Sequence, residues 1–121
     1  MSGIYRDLEV WQAAMKMVFE VYRETASFPK QEVFGLTSQL RRAAVSVASN
    51  IAEGKSHFSD RELGQFRSIA RGSVFEIETQ LAIAPELGFL TKPQSTELLN
   101  RCSEVGRLLN GLIKVVRKPA A

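Results

Sequence analysis

Apolar residues recur at alternating intervals of three and four along most of this chain, which is the period of one helix face and not the strict alternation of a strand. Four stripes stand out. The first is Leu8, Trp11, Met15, Val18, Tyr22 and Thr25, and the second is Leu36, Leu40, Ala43, Val47, Asn50 and Ile51. The third is Leu63, Phe66, Ala70, Ser73, Ile77, Gln80/Leu81 and Ala84, and the fourth is Leu98, Cys102, Val105, Leu109, Leu112 and Val116. They predict helices over about residues 7–27, 36–53, 60–87 and 92–116. Short connections make successive helices antiparallel neighbours. The expected fold is therefore all-α: an antiparallel up-down-up-down four-helix bundle, occupying residues 1–121 as one domain.

The breaks have chemical reasons. Phe28-Pro29 stops the first helix, because the residue before proline is pushed out of the α region. Gly35 weakens the start of the second, and a short turn over Lys30–Phe34 is expected ahead of it. Gly54 reads as a left-handed C-terminal cap. Ser59-Asp60-Arg61-Glu62 is a capping box, flanked by Phe58 and Leu63 at the spacing of a hydrophobic staple. Thr91-Lys92-Pro93-Gln94 repeats the box pattern after Gly88, which ends the third helix. Pro85 falls in the last turn of that helix and should bend or fray it.

More apolar surface is present than a single core stripe requires. Val10, Ala14, Met17 and Val21 form a second stripe on the first helix, and Leu108 and Val115 lie beside the core stripe of the fourth. Gly106 and Gly111 there would permit close approach of another backbone. Such stripes mark a partner surface, and a homo-oligomer is the commonest way to cover one. The competing reading is simply a broad core-facing stripe. Polar residues interrupt the stripes as well. Asn50, Ser73 and Gln80 need hydrogen-bond partners if buried, and satisfied partners fix register. A hairpin of the second and third helices would bring Arg41 and Arg42 to the level of Ser73 and Glu76, and Gln39 opposite Gln80. These six structural polar residues (Arg41, Arg42, Asn50, Ser73, Glu76, Gln80) are read as setting register, with a ligand site as the alternative.

The chain has 121 residues, 45% hydrophobic and 24% charged, the make-up of an ordinary globular domain with room for one core. No apolar run approaches the length of a membrane span, and no signal-peptide layout opens it. The single cysteine, Cys102, leaves no internal disulfide to form and fits a reducing cytoplasm. Net charge is +3, unevenly spread: residues 1–90 hold ten Lys/Arg against eleven Asp/Glu, whereas residues 91–121 hold six against two. Arg101, Arg107, Lys114, Arg117 and Lys118 make this last segment a candidate phosphate-binding face for RNA or DNA. The plainer reading is a solvated helix face.

Catalytic patterns are missing from the sequence. Glu76 and Glu78 are two apart and face different sides of a helix. Ala52-Glu53-Gly54-Lys55-Ser56 lacks the earlier glycine and the strand of a phosphate loop. His57 has no triad partner, and together with Cys102 it supplies too few ligands for a zinc site. No enzyme, metal or cofactor is expected.

The run Phe34-Gly35-Leu36-Thr37-Ser38-Gln39-Leu40-Arg41-Arg42-Ala43-Ala44-Val45-Ser46-Val47, continuing through Ser49-Asn50-Ile51-Ala52-Glu53-Gly54, resembles the 23S rRNA intervening-sequence proteins, also called S23 ribosomal proteins. Gly72-Ser73-x-x-Glu76-x-x-Thr79-Gln80-Leu81, the opening Asp7-Leu8-x-Val10-Trp11-Gln12 and Leu87-Gly88-x-Leu90 match too. The resemblance spans roughly residues 5–116. One departure is Ala48, where relatives often carry proline. The resemblance implies a cytoplasmic, left-handed up-down bundle that assembles into a ring-like homopentamer. It also implies kinship with the accessory variability proteins of diversity-generating retroelements, which are basic pentamers that bind nucleic acid and a reverse transcriptase. Two functions follow as expectations. One is an oligomer contacting RNA or DNA without sequence preference, and the other is a scaffold for an unknown protein partner. Neither involves a membrane.

Overall fold

Because the first helix lacks a side-chain cap, it starts late. Tyr5–Asp7 forms a 3-10 turn, Leu8 stands extended at the N-cap with no side-chain acceptor, and helix α1 runs Glu9–Thr25. Helices α2 (Leu36–Ser56), α3 (Asp60–Glu86) and α4 (Lys92–Arg117) follow, with a 3-10 turn at Lys30–Glu32 ahead of α2. This computed structural model describes residues 5–56 and 59–117, and the side chains of these except 60 and 113–117. His57, Phe58 and Lys118 lie outside the described residues, as does the expected Phe58–Leu63 staple.

Each helix packs on two others: α1 on α2 and α4, and α3 on α2 and α4. Neighbours run antiparallel. Thr25 at the end of α1 meets Arg41 near the start of α2, and Ser46 in mid-α2 meets Ser73 in mid-α3. Gly54 near the end of α2 meets Leu63 and Phe66 near the start of α3. One apolar core runs through all four helices, with Met17, Leu40, Ile77, Leu81 and Leu109 as its largest fully buried members. Ala14, Ala44, Ala70 and Ala84 have no exposed surface, so small residues alternate with large ones and let the helices close on each other.

Helix ends follow local chemistry. Ser59 Oγ accepts the Glu62 backbone N–H at 3.1 Å, and its hydroxyl donates to Glu62 Oε1 at 3.0 Å. The Thr91 box is fully reciprocal: Gln94 N–H donates to Thr91 Oγ1 and Thr91 N–H donates to Gln94 Oε1. At the end of α3, Gly88 takes φ +77°, Gly88 N–H donates to Pro85 O, and Phe89 N–H donates to Ala84 O. That pair of bonds is a Schellman ending. At α2 the carboxylate of Glu32 reaches forward instead, and Leu36 N–H donates to its Oε1 at 3.0 Å. A Cβ on Gly35 would stand 2.8 Å from that same oxygen, so the glycine makes room for the cap.

Two expectations need correction. Gly54 is no left-handed cap: α2 continues through it to Ser56, and the residue is buried. It is small because α3 packs there. A Cβ would lie 3.0 Å from both Leu63 Cδ1 and Phe66 Cβ. Pro85 does not fray α3, which extends to Glu86. Proline has no N–H for the Leu81 carbonyl one turn earlier. Ser95, on the first turn of α4, donates its hydroxyl to that carbonyl at 2.7 Å.

Ser95 is 4% exposed whereas Ser59 is exposed, so the two hydroxyls should differ in weight. Ser59→Ala should cost about 1 kcal/mol, the usual worth of an N-cap. Ser95→Ala should cost more, about 1–3 kcal/mol, because it strands a buried carbonyl. Urea unfolding of both variants checks the order, and a reversed order would contradict the assignment of the Leu81 carbonyl to Ser95.

Candidate functional site

The polar residues of α2 and α3 meet along one seam. Ser73 donates its hydroxyl to Ser46 Oγ at 3.0 Å, and Asn50 Nδ2 donates to Ser46 Oγ at 3.1 Å and to the Ser46 carbonyl at 2.8 Å. Ser46, which the stripe pattern did not single out, is thus the hub. Above it lies an open groove of about 470 Å³ lined by Gln39, Arg42, Ala43, Ser46, Ser73 and Glu76. Lower on α3, Gln80 Nε2 donates weakly to Glu76 Oε2 at 3.4 Å, while its buried Oε1 has no partner.

Of the two arginines expected at this seam, only Arg42 is there. Successive helix residues are about 100° apart, so Arg41 faces α1 instead. Its Nε donates to Thr25 Oγ1 at 2.9 Å, its Nη2 to the Tyr22 carbonyl at 3.3 Å, and its guanidinium lies 4.6 Å from the Tyr22 ring centre. The expected Arg–Glu76 and Gln39–Gln80 pairs do not form, since none of these side chains hydrogen-bonds across the groove. The seam joins α2 to α3 through Ser46 and Ser73, with Asn50 bonded to Ser46 within α2, and Arg41 ties α2 to α1.

The two apolar stripes of α1 largely exchange the roles assigned to them, although Val18 (8% exposed) and Thr25 (3%) of the expected core stripe are buried as expected. Val10, Ala14, Met17 and Val21, expected to meet a partner, are at most 4% exposed and form the core face. Leu8, Trp11 and Met15, expected in the core, only flank it, and Phe19 (59% exposed) and Tyr22 lie outside. The two stripes are about a quarter-turn apart, and the small Ala13 and Ala14 select the inward one because they let neighbouring helices come close. The outward flank is apolar. Trp11, Met15 and Val18 border a groove of about 290 Å³ with Val45, Ala48 and Ala52 of α2, and Tyr5 packs edge-on against Trp11 at 5.2 Å. Leu108 of α4 is half-buried against the core. The side chain of Val115 lies outside the described residues.

The basic segment is less available than its charge count implies. Arg101 Nε binds Glu20 Oε2 of α1 at 2.9 Å. That carboxylate, through its hydrogen bond and its charge, holds the Arg101 pKa above its ordinary value. Arg107 is exposed. The side chains of Lys114 and Arg117 lie outside the described residues. Cys102 is fully buried, with Sγ 3.7 Å from Met17 Sδ. Burial, with a smaller contribution from the Glu78 charge, pushes its thiol pKa up to about 12. A thiol so far from ionising is a packing residue. Among the described residues no group of three or more His, Cys, Asp and Glu could hold a metal ion, and no helix is long and apolar enough to cross a membrane.

The family model of the 23S rRNA-intervening sequence proteins matches residues 6–111. The fold also matches a crystal structure, solved at 1.70 Å, of a protein of unknown function from the S23 ribosomal protein family of Bacteroides thetaiotaomicron VPI-5482. The two share 22% sequence identity with a TM-score of 0.77, over 87% of this chain and 98% of that one. No curated protein matches the sequence.

Gln80 offers a direct check on the seam. Methionine conserves its volume and removes a buried carbonyl that has no donor, a change that is nearly neutral or stabilising. Gln80→Met should leave the urea midpoint unchanged or raise stability by up to about 1 kcal/mol. A loss beyond that would mean that the carbonyl is engaged.

Proposed function

The chain belongs to the 23S rRNA-intervening sequence protein family, and we propose that it works without catalysis, as a self-associating helical scaffold in the cytoplasm. One observation carries this reading: the outward apolar flank of α1 and α2, where Phe19, Tyr22 and Val45 are each more than 40% exposed beside Trp11 and Met15. Exposed clusters of this kind mark interaction surfaces, and aromatic anchors dominate the binding energy where they are buried by a partner. A second copy of the chain covers the flank, and the ring of five implied by the family resemblance is the assembly proposed. The flank belongs to a bundle whose core is filled by its own helices, so assembly is a use of the surface and not a repair of the fold.

The second reading is sequence-independent binding of RNA or DNA through α4, and Arg107 favours it as an exposed cation on the basic segment. Long cations on a helix neutralise phosphates without reading bases, so such binding weakens steeply with salt. The Arg101–Glu20 pair counts against it, because a guanidinium already held by a carboxylate contributes less to a phosphate.

Sedimentation velocity at micromolar concentration should give a multiple of the 13.5 kDa chain mass. Phe19→Glu should shift the protein toward monomer with unchanged helicity, since Phe19 is no part of the core. A wild-type monomer would overturn the scaffold reading. A salt-sensitive mobility shift on RNA or DNA that Arg107→Glu abolishes would move the assignment to the second reading.

A further inference from the structure

Arg42 and Glu76 border one groove from opposite helices, and neither a hydrogen bond nor an ion pair joins them. Arg42 on α2 has no bonded partner among the described residues, and the Glu76 carboxylate on α3 receives only the long bond from Gln80. The groove of about 470 Å³ thus has a positive wall and a negative wall. Both residues are exposed, and an exposed arginine–glutamate pair that closed the groove would gain little in water. The two charges stay available to a ligand that lies between them.

Two neutral groups add direction. Ser46 Oγ accepts from Ser73 at 3.0 Å and from Asn50 at 3.1 Å, which uses both acceptor positions of a hydroxyl. Its own O–H is left to donate, and Ser46 lines the groove one turn along α2 from Arg42. On α3, Gln80 is 4% exposed and its buried Oε1 has no partner. The same amide touches Glu76 through its Nε2. A buried acceptor without a donor costs stability. Beside a carboxylate, it is a group that an ammonium can satisfy, because an ammonium has three protons to give.

We propose that this groove binds a free α-amino acid, with its carboxylate on Arg42 and the Ser46 hydroxyl and its ammonium on Glu76 and the Gln80 carbonyl. Other classes of ligand fit less well. A phosphate would meet Glu76 as well as Arg42, and the two charges sum to zero. A nucleobase needs a stacking surface, and among the described residues lining the groove none is aromatic. Size sets no limit, since a cavity of about 150 Å³ already takes a benzene ring. The site lies between α2 and α3, whereas the association flank lies on α1 and α2, so it does not depend on the self-association proposed above.

Thermal melts of the full chain with each standard amino acid test it. At about 10 mM, which stabilises any complex with a dissociation constant of about 1 mM or tighter, at least one should raise the melting temperature. Its methyl ester, which has no carboxylate, and its N-acetyl derivative, which has no ammonium, should not. Calorimetric titration should show Arg42→Gln, Glu76→Gln and Gln80→Met each weakening that amino acid at least ten-fold, with circular dichroism unchanged. No response to any standard amino acid would overturn the proposal. So would a response that survives any of the three substitutions, or one that the ester and the N-acetyl derivative reproduce. Inorganic phosphate or guanosine monophosphate binding instead, and lost in Arg42→Gln alone, would make the groove an anion site and also overturn it. The scaffold reading stands or falls separately, on the mass of the assembly.

Discussion

A helix wedged between two neighbours can bury one face well, and α1 carries two apolar faces that compete for that place. The packing of α1 against α2 and α4 resolves the competition by size. Val10, Ala14, Met17 and Val21 bury almost completely, with Ala13 and Ala14 admitting the neighbouring backbones. Trp11, Met15, Phe19 and Tyr22 then have to sit on the flank. The outward apolar surface is a consequence of how the core closes, not an independent addition. A large residue at Ala14 would push the helices apart and reopen the choice.

The remaining polar ties hold that arrangement in register. Ser46 and Ser73 fix α2 against α3, Thr25 and Arg41 fix α1 against α2, Ser95 fixes the start of α4 on α3, and Glu20 with Arg101 closes α1 on α4. Each of the four helix–helix seams thus has at least one directional bond beside its apolar contacts. Apolar packing is tolerant of sliding, whereas a hydrogen bond between named atoms is not.

Much of this was legible in the sequence where the signal is local. The capping residues Ser59 and Thr91, the glycine at 88 and the Phe28-Pro29 stop depend on side chains within a few residues, and the structure places the helix ends beside them. Along α2, α3 and α4 the period alone located Leu40, Val47, Ala70, Ile77, Leu81, Cys102, Val105 and Leu109 in the core, but it missed Ala44, Ala48 and Val74 and counted Leu63 and Phe66, which are only partly buried. What failed was long-range. Periodicity identifies two stripes on α1 but carries no information about which one meets α2 and α4. Gly54 looked like a cap because nothing nearby in sequence reveals Leu63 and Phe66 packed on it. Arg41 and Arg42 look equivalent side by side, yet a turn of 100° sends them to different neighbours. The Ser95 bond could have been anticipated: a proline in the last turn of α3 frees the Leu81 carbonyl, and the next serine in sequence lies on the helix that returns past it. Of the five cations proposed for nucleic acid, charge counting could not foresee that Glu20 engages Arg101.

The core is completed within one chain, and the apolar flank proposed for association lies outside it. That separation is tested most directly by following helicity and mass together during dilution. Far-ultraviolet circular dichroism and sedimentation from high micromolar to nanomolar concentration should show the assembly falling apart into copies that keep their full helical signal. Loss of helicity in step with loss of mass would contradict the account, because the bundle would then depend on its neighbours for the core that it was taken to complete alone.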